Sequence, residues 1–163
     1  MSGPDSSSAY CDPQLLLDNQ FCFVLYALSR RITALYRPLL QEIGLTYPQY
    51  LALLVLWEAE ANVAGPEYAG VPIRHLGQRL LLDTGTLTPL LKRLEAMNLV
   101  QRNRSREDER EVRIRLTPAG TDLKDKARHI PLQMICNSKL PLERIEPLQR
   151  ELKSLLDQVA SED

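Results

Sequence analysis

Glycine and aromatic side chains are scarce in this sequence, which has seven glycines and 6% aromatic residues among its 163 positions. Together with long leucine-rich stretches, this composition argues against a glycine-rich β-barrel and against a sheet built from βαβ units. With 44% hydrophobic residues, the chain has enough apolar material for one packed core or for one half of a helical dimer. The sequence therefore predicts one mostly helical domain.

The sequence also lacks a long apolar run and an excess of charge of one sign. Its longest apolar stretch, Tyr50 to Trp57, is far shorter than the roughly 20 residues that cross a bilayer. Its first residues are polar and acidic, unlike a secretory leader, so we expect a cytoplasmic protein with no membrane partner. The formal charge of -1 excludes a uniformly basic nucleic-acid binder but allows local basic patches.

Cysteine and histidine are too few and too scattered for a disulfide scaffold or a zinc site. The three cysteines, Cys11, Cys22 and Cys136, are far apart in the chain, whereas metal ligands cluster at short spacing. His75 and His129 each stand alone in their segments. We therefore expect no metal and no cofactor, and each cysteine has to be interpreted separately.

Apolar periodicity divides the chain into a polar tail and a series of amphipathic helices. Residues 1–12 are small and polar and are predicted to be a disordered tail. The predicted helices, the first of which starts at Asp12-Pro13 or at Asp18, cover residues 13–44, 49–59, 73–81, 84–97, 118–137 and 141–160. Residues 62–72, which are rich in glycine and proline, are predicted to be a loop.

After Leu99 the apolar period changes to two, which predicts a β-hairpin. Val100, Arg102 and Arg104 alternate, and residues 112–116 alternate again after a charged segment. The fold is thus predicted to be all-α with a small β-hairpin wing, in other words a winged helix-turn-helix. In DNA-binding proteins such a fold places its second helix in the major groove and its wing in the adjacent minor groove.

The second helix of this motif and the hairpin carry small polar and cationic side chains that suit base edges and phosphates. The candidates in the helix are Thr84, Thr86, Thr88, Lys92 and Arg93. The hairpin contains arginine but no lysine, and arginine suits narrow minor grooves. Its arginines are Arg102, Arg104, Arg106, Arg110, Arg113 and Arg115. Acidic residues at the hairpin tip partly cancel this charge, so a solvated charged ribbon is the alternative interpretation.

Two segments resemble the MarR family of winged-helix repressors. Asp108, Arg110, Ile114, Leu116 and Thr117 form the pattern D-x-R-x-x-x-I-x-L-T, which looks like that family's wing signature. Preceding it, LDTGTLTPLLKRLE is similar to the family's recognition helix. The resemblance implies that Arg110 enters the minor groove and that Asp108 helps to hold it, as suits a bidentate arginine–carboxylate pair. Arg104 and Arg106 are further candidate contacts.

Cys22 is a candidate reactive thiol in the first predicted helix. The thiolate is the reactive form of cysteine, and it is stabilised by hydrogen-bond donors and by a nearby helix N-terminus. Tyr26 lies one helical turn from Cys22. Tyr36 is too distant along the same helix, so it could reach Cys22 only from a second copy of the helix. A small cysteine buried in a helix seam is the other interpretation of this position.

The segments LLLDNQFCFVLYALSR and LTYPQYLALLVLWE are similar to the OhrR branch of the MarR family, whose members sense organic hydroperoxides. The resemblance spans about residues 15–156. It implies that Cys22 is the peroxidatic cysteine and that Tyr26, Tyr36 and Tyr47 orient it or form hydrogen bonds with it.

The same resemblance gives a role to Cys136, whereas Cys11 is interpreted from its position in the tail. Cys136 corresponds to the resolving cysteine of the two-cysteine subgroup, which forms an intersubunit disulfide with the peroxidatic cysteine. Inert packing is the alternative for an isolated cysteine at this position. Cys11, in the polar tail, is interpreted as an exposed spectator thiol.

The expected assembly is an obligate homodimer with one domain per chain over residues 13–163. Residues 13–44 and 118–163 are expected to form the dimerisation helices, and residues 45–117 the winged helix-turn-helix lobe. Two-fold symmetry then predicts a pseudopalindromic operator in double-stranded DNA.

The expected function is that of a repressor, not an enzyme, which leaves its operator when an organic hydroperoxide oxidises Cys22. Two alternatives remain open: a MarR-type repressor that responds to a non-covalent phenolic ligand, and a thiol peroxidase. The absence of a C-x-x-C motif and of a thioredoxin-like βαβ pattern argues against the peroxidase.

Overall fold

The computed structural model describes residues 12–62, 69–104 and 111–160. It divides into two compact units, Met1–Ala34 and Leu35–Asp163. In chain order the elements are two 3-10 turns (Pro13–Leu15 and Leu17–Asn19), α1 (Phe21–Glu42), α2 (Tyr47–Asn62), β1 (Val71–Pro72), α3 (Ile73–Leu80), α4 (Thr84–Ala96), β2 (Val100–Arg104), β3 (Val112–Leu116), α5 (Pro118–Ala127), α6 (Ile130–Ser138) and α7 (Leu142–Ala160). This architecture confirms the predicted all-α fold with a small β wing.

The first α-helix begins later than the sequence predicted. Asp12 caps a 3-10 turn and not an α-helix, and its side chain accepts a hydrogen bond of 3.0 Å from the backbone N–H of Gln14. Leu16 and Gln20 have extended backbone angles, which interrupt the helical hydrogen-bond ladder on both sides of the second turn. The α1 helix therefore starts at Phe21, and the predicted helical start at Asp12-Pro13 or Asp18 is wrong.

The α2 helix is the centre of the core in the second unit. Its buried residues are Gln49, Tyr50, Ala52, Leu53, Val55, Leu56 and Trp57. The core also contains buried aliphatic side chains from α3, α4, α5, α6 and the sheet. Burial of one such side chain contributes roughly 1.5–3 kcal/mol, so this helix holds the lobe together. Within the apolar stretch from Tyr50 to Trp57, Leu54 is 39% exposed and the remaining residues are buried or half-buried.

The sheet has three antiparallel strands in the order β1-β3-β2. The hairpin of β2 and β3 was predicted, and its register pairs Val100 with Leu116. The β1 strand was not predicted, because it lies in the segment that was assigned to a loop; Val71 in this strand pairs with Ile114. Gly70 precedes it with φ +93°, and a Cβ there would lie 2.7 Å from the Ile114 carbonyl oxygen, so glycine permits the close approach.

The segment after the wing forms two helices, so the prediction of one helix over residues 118–137 is wrong. Pro131 at the start of α6 has no N–H and cannot donate to the carbonyl one turn earlier, which ends the first helix. Thr117 caps α5: its hydroxyl accepts a bond of 3.1 Å from the Gly120 N–H and donates one of 2.6 Å to the Asn98 carbonyl. The start of α5 is thereby fixed against the start of the wing.

Candidate redox site and nucleic-acid interface

The N-terminus of α4, the second helix of the helix-turn-helix, is closed by a side-chain cap. Asp83 accepts hydrogen bonds from the backbone N–H of Thr86 at 2.8 Å and from the Thr86 hydroxyl at 3.0 Å. Both bonds lower the pKa of Asp83, and the bond from the backbone N–H has the larger effect. The Thr86 hydroxyl therefore donates to the cap, and it retains only acceptor capacity for another molecule.

The two faces of α4 differ sharply in exposure. Its buried residues are Leu87, Leu90, Leu91 and Leu94. On the opposite side, Gly85, Pro89 and Lys92 follow at intervals of four and three residues, and all three are exposed. Of the sequence candidates, Thr84, Thr86, Lys92 and Arg93 are exposed and Thr88 is half-buried. Gly85 and Pro89, which the sequence analysis did not select, lie in the middle of this exposed face.

The described arginines of the wing differ in their surroundings. Arg104, at the end of β2, is exposed. Arg113 is held by Glu111, with the Nε–Oε2 distance at 2.6 Å, and it also donates to the Gly70 carbonyl at 3.5 Å. The Nε of Arg102 is buried and has no hydrogen-bond partner among the described residues. Arg113 thus stabilises the base of the wing, and Arg104 is available to a ligand.

The wing tip, residues 105–110, lies outside the described residues. It includes Arg106, Asp108 and Arg110, for which the proposed roles remain predictions. Cys11 lies outside the described residues as well.

Cys22 is the second residue of α1 and is exposed. It lies where the first backbone N–H groups of a helix have no intrahelical partner, an arrangement that favours a nearby anion. Tyr26, one turn later, is 58% exposed, and its hydroxyl accepts a hydrogen bond of 3.2 Å from Nη1 of Arg30. The exposure of Cys22 does not support the interpretation of a cysteine buried in a helix seam.

In the second unit, tyrosines of α1 and α2 form an aromatic cluster. The ring centroids of Tyr36 and Tyr47 are 4.8 Å apart, and those of Tyr36 and Tyr50 are 6.0 Å apart. Tyr50 in turn packs edge-on against Trp57 at 6.4 Å. The structure thus brings together two of the three tyrosines proposed to support the thiolate, and it adds Tyr50, which is buried.

The phenols of this cluster are held in their protonated form. The pKa of Tyr36 is raised to about 12, mainly by burial and to a smaller extent by the proximity of Tyr47 and Tyr50. Burial likewise raises the pKa of Tyr47 and of Tyr50. Each hydroxyl therefore carries its proton at neutral pH and can donate a hydrogen bond to an anionic sulfur or oxygen.

Cys136 is exposed in α6, two residues before the helix ends. The Lys139 N–H donates to the Cys136 carbonyl at 3.3 Å, and Lys139 has a left-handed backbone conformation with φ 55°. Cys22 and Cys136 are both free thiols. Cys136 was assigned to the end of a single long helix and lies in α6 because of the break at Pro131.

His75 and His129 are exposed. Within the described ranges, no three histidine, cysteine or acidic residues are grouped so as to hold a metal ion. In the same ranges, no helix is both long enough and apolar enough to cross a membrane.

Comparison with known proteins assigns the chain to a family. The family model of the transcriptional regulators SarA/Rot matches residues 34–127. The organic hydroperoxide resistance transcriptional regulator of Bacillus subtilis is 48% identical over 141 residues, which cover 86% of this chain and 90% of that protein. The chain belongs to the MarR-type winged-helix transcriptional regulators.

Solved structures of AbfR from Staphylococcus epidermidis are similar to this MarR-type regulator. Reduced AbfR bound to DNA is 33% identical, with a TM-score of 0.68 and coverage of 88% of this chain and 94% of that one. Disulfide-formed AbfR is 36% identical, with a TM-score of 0.58 and coverage of 86% and 92%.

Family membership decides between the functional classes that the sequence left open. The matched family and the curated relatives are transcriptional regulators and not enzymes, so the expectation of a regulator is confirmed and the thiol-peroxidase alternative is set aside. The MarR-type wing and helix-turn-helix agree with the predicted architecture.

Several contacts of this regulator were not predicted from the sequence. Arg30 was not selected, although its spacing of four residues from Tyr26 is a signal for a contact on one helix face. Tyr50 was quoted only as part of an apolar helix. No sequence signal predicted the pairing of Arg113 with Glu111.

Proposed function

We propose that the protein is a homodimeric DNA-binding repressor that organic hydroperoxides inactivate by oxidising Cys22. The observation that carries the proposal is an exposed cysteine in the first turn of α1, in a chain closely similar to an organic hydroperoxide resistance regulator. The redox site and the DNA-binding surface are carried by different elements.

The proposed DNA-binding surface consists of the exposed face of α4 and the wing. Thr84, Thr86, Thr88, Lys92 and Arg93 face the major groove, while the wing arginines enter the minor groove. Candidate wing contacts are Arg104, Arg106, Asp108 and Arg110. The DNA complex of the similar regulator AbfR supports this proposal. In a two-fold dimer the target is a pseudopalindromic operator in double-stranded DNA.

Homodimerisation is supported by a stripe of exposed apolar side chains on α7. Leu148, Leu152, Leu155 and Val159 recur at intervals of four and three residues, as in a helix packed against a partner. An exposed apolar face of this length is rare in a soluble monomer. We therefore assign residues 13–44 and 118–163 to the dimerisation region and residues 45–117 to the DNA-binding lobe.

Sensing begins with a two-electron oxidation. The Cys22 thiolate attacks the terminal oxygen of the hydroperoxide, so that an S–O bond forms while the O–O bond breaks. The organic part leaves as an alkoxide, takes up a proton and becomes an alcohol. Cys22 is left as a sulfenic acid, and the hydroperoxide is reduced by two electrons.

The second step forms the proposed disulfide. The Cys136 thiolate of the other subunit attacks the Cys22 sulfenic sulfur, an S–S bond forms, and the S–O bond breaks with release of hydroxide, which becomes water. The exposure of both thiols supports this step, as does the existence of a disulfide-formed state of AbfR. The new bond favours a dimer conformation in which the two lobes no longer match the operator.

The test uses a duplex selected from random sequences by the reduced protein. Treatment with cumene hydroperoxide should release wild-type protein from this DNA, whereas Cys22→Ser should remain bound. Cys11→Ser is the matched control and should respond like wild type. Release of Cys22→Ser by the same treatment would show that the sensor lies elsewhere.

The alternative of a non-covalent phenolic ligand is favoured by one groove in the second unit. It has a volume of about 280 Å³ and is lined by Tyr50, Leu54, Trp57, Glu58, Ala61, Lys124, Ala127, Arg128 and Pro131. Tyr50 and Trp57 supply aromatic surface, and Lys124 and Arg128 supply two positive charges against the one negative charge of Glu58, so the groove suits a small aromatic anion. If salicylate released the DNA from Cys22→Ser protein without oxidation, this alternative would replace the redox mechanism.

A further inference from the structure

Tyr26 and Arg30 form a pair on α1 that the sequence analysis did not anticipate. Nη1 of Arg30 lies 3.2 Å from the Tyr26 hydroxyl oxygen, and the guanidinium carbon lies 5.5 Å from the centroid of the Tyr26 ring. Within the described ranges, Arg30 has no carboxylate at ion-pair distance. Its side-chain contact is therefore directed at the tyrosine and not at an acidic neighbour.

The chemistry of this contact determines whether the Tyr26 hydroxyl donates or accepts the hydrogen bond with Arg30. A guanidinium has only donors, so the phenol oxygen must be the acceptor in the bond with Arg30. The hydroxyl hydrogen of Tyr26 then remains free for another acceptor. A cation beside the phenol oxygen also makes its O–H a stronger donor, because the donated bond polarises the hydroxyl.

Helix geometry places Tyr26 one turn from Cys22 on the same face of α1. Residues four apart lie about 5–6 Å from each other between their Cβ atoms, and Cys22, Tyr26 and Arg30 follow at that spacing. Long side chains in a helix lean towards its N-terminus. Arg30 accordingly reaches back to Tyr26, and Tyr26 in turn covers the turn that carries Cys22.

We propose that Arg30 is a positioning residue that holds the Tyr26 hydroxyl as a donor to the alkoxide leaving from the hydroperoxide at Cys22. As the O–O bond breaks, negative charge develops on the departing oxygen, and a fixed O–H beside it stabilises the transition state. Arg30 acts only through Tyr26. This inference rests on the proposed oxidation of Cys22 and adds a residue to it.

The test distinguishes an effect on the leaving oxygen of the hydroperoxide from an effect on the reactivity of the Cys22 thiol. Rate constants are measured for full-length protein in two reactions of Cys22: oxidation by cumene hydroperoxide, trapped with dimedone, and alkylation by iodoacetamide, whose leaving group is iodide. Arg30→Gln should slow oxidation about tenfold, the lower range for one hydrogen bond to a charged group, and leave alkylation unchanged. Arg30→Lys, which retains a cationic donor, should recover part of the rate.

Two comparisons make the result specific. Arg31→Gln is the matched control, because Arg31 is an exposed neighbour that does not follow the four-residue spacing of Cys22, Tyr26 and Arg30. It should react like wild type. Tyr26→Phe should show the same loss as Arg30→Gln, and the double variant should lose no more than either single variant. Additive losses, or an equal loss in the alkylation rate, would overturn the positioning role.

Failure of this inference is distinguishable from failure of the proposed function. If wild-type protein is oxidised at Cys22 and Arg30→Gln reacts at the same rate, only the role of Arg30 is wrong. If hydroperoxide leaves Cys22 unmodified in wild-type protein while still releasing the DNA, the proposed sensing site itself is wrong.

Discussion

The indole N–H of Trp57 in α2 donates a hydrogen bond of 2.8 Å to the backbone carbonyl of Gly120 in α5. Both residues are buried, and Gly120 packs so closely on the start of the wing that a Cβ there would overlap the Leu99 carbonyl oxygen. Trp57 also contacts Tyr50 of the aromatic cluster. The Trp57 side chain therefore links the tyrosine cluster to α5, which packs against the start of the wing.

Trp57→Phe should lower the free energy of unfolding by about 1–3 kcal/mol, because it removes the indole N–H donor from a buried carbonyl. The measurement is urea denaturation followed by circular dichroism. Leu54→Ala, one turn earlier and 39% exposed, is the control and should cost less. A Trp57→Phe protein as stable as wild type would mean that the hydrogen bond has no net effect on stability.

Alkaline pH should destabilise the protein through the aromatic cluster. The pKa of Tyr36 is raised from 10.0 to about 12 by burial and by its tyrosine neighbours, so the folded state favours the protonated phenol. Its contribution to stability is complete below pH 10 and is lost as the pH rises from 10 to 12. Ultraviolet absorbance titration of tyrosinate should show late ionisation.

In the same titration, Tyr36→Phe should remove one late-ionising group and reduce the dependence of stability on pH in this range. Tyr26→Phe, at an exposed position, is the control and should leave the late ionisations in place. If every tyrosine of the folded protein ionised together near pH 10, the packing of the cluster would be wrong.

Lys92→Ala should weaken operator binding for all sequences to a similar extent, because a lysine–phosphate interaction carries charge and no base recognition. The slope of log K against log salt should become shallower by about one for each phosphate that is no longer neutralised, and so by about two for a dimer. A fluorescence anisotropy series in salt measures this. Lys126→Ala, at an exposed position on α5, should leave the slope unchanged; an equal change would assign the effect to net charge.

Leu152→Glu should convert the dimer to monomers and abolish operator binding, because a carboxylate on the apolar stripe of α7 cannot be desolvated at an interface without a large cost. Sedimentation velocity gives the mass in solution. Gln158→Glu adds the same charge at an exposed polar position of this helix and should remain dimeric. A dimeric Leu152→Glu protein that binds DNA normally would reject α7 as part of the interface.

Elements with a strong internal pattern could be predicted from the sequence. The leucines of α4 recur at helical spacing, Asp83 is a good helix cap, and the alternation of β3 is regular, so these elements have the predicted type. The α5–α6 break also had a signal in Pro131, but its amphipathic surroundings suggested a continuous helix. The β1 strand has two residues and depends on pairing with β3, so no local pattern could reveal it.

Only part of the candidate site could be predicted from the sequence, because some of its contacts lie within one helix and others join two helices. Cys22 and Tyr26 lie one turn apart on a single helix, so spacing alone relates them. The cluster of Tyr36 with Tyr47 and Tyr50 joins two helices, and its geometry depends on how those helices pack. Exposure is also a tertiary property, which is why the sequence left open whether Cys22 is buried.

The role of Cys22 in DNA binding is tested most simply by titrating the operator complex with cumene hydroperoxide and running non-reducing gels on the same samples. We expect complete release at about one equivalent per Cys22, together with a dithiothreitol-sensitive dimer band that is absent in Cys136→Ser. An operator complex that survives full oxidation of Cys22 would show that this thiol does not control DNA binding.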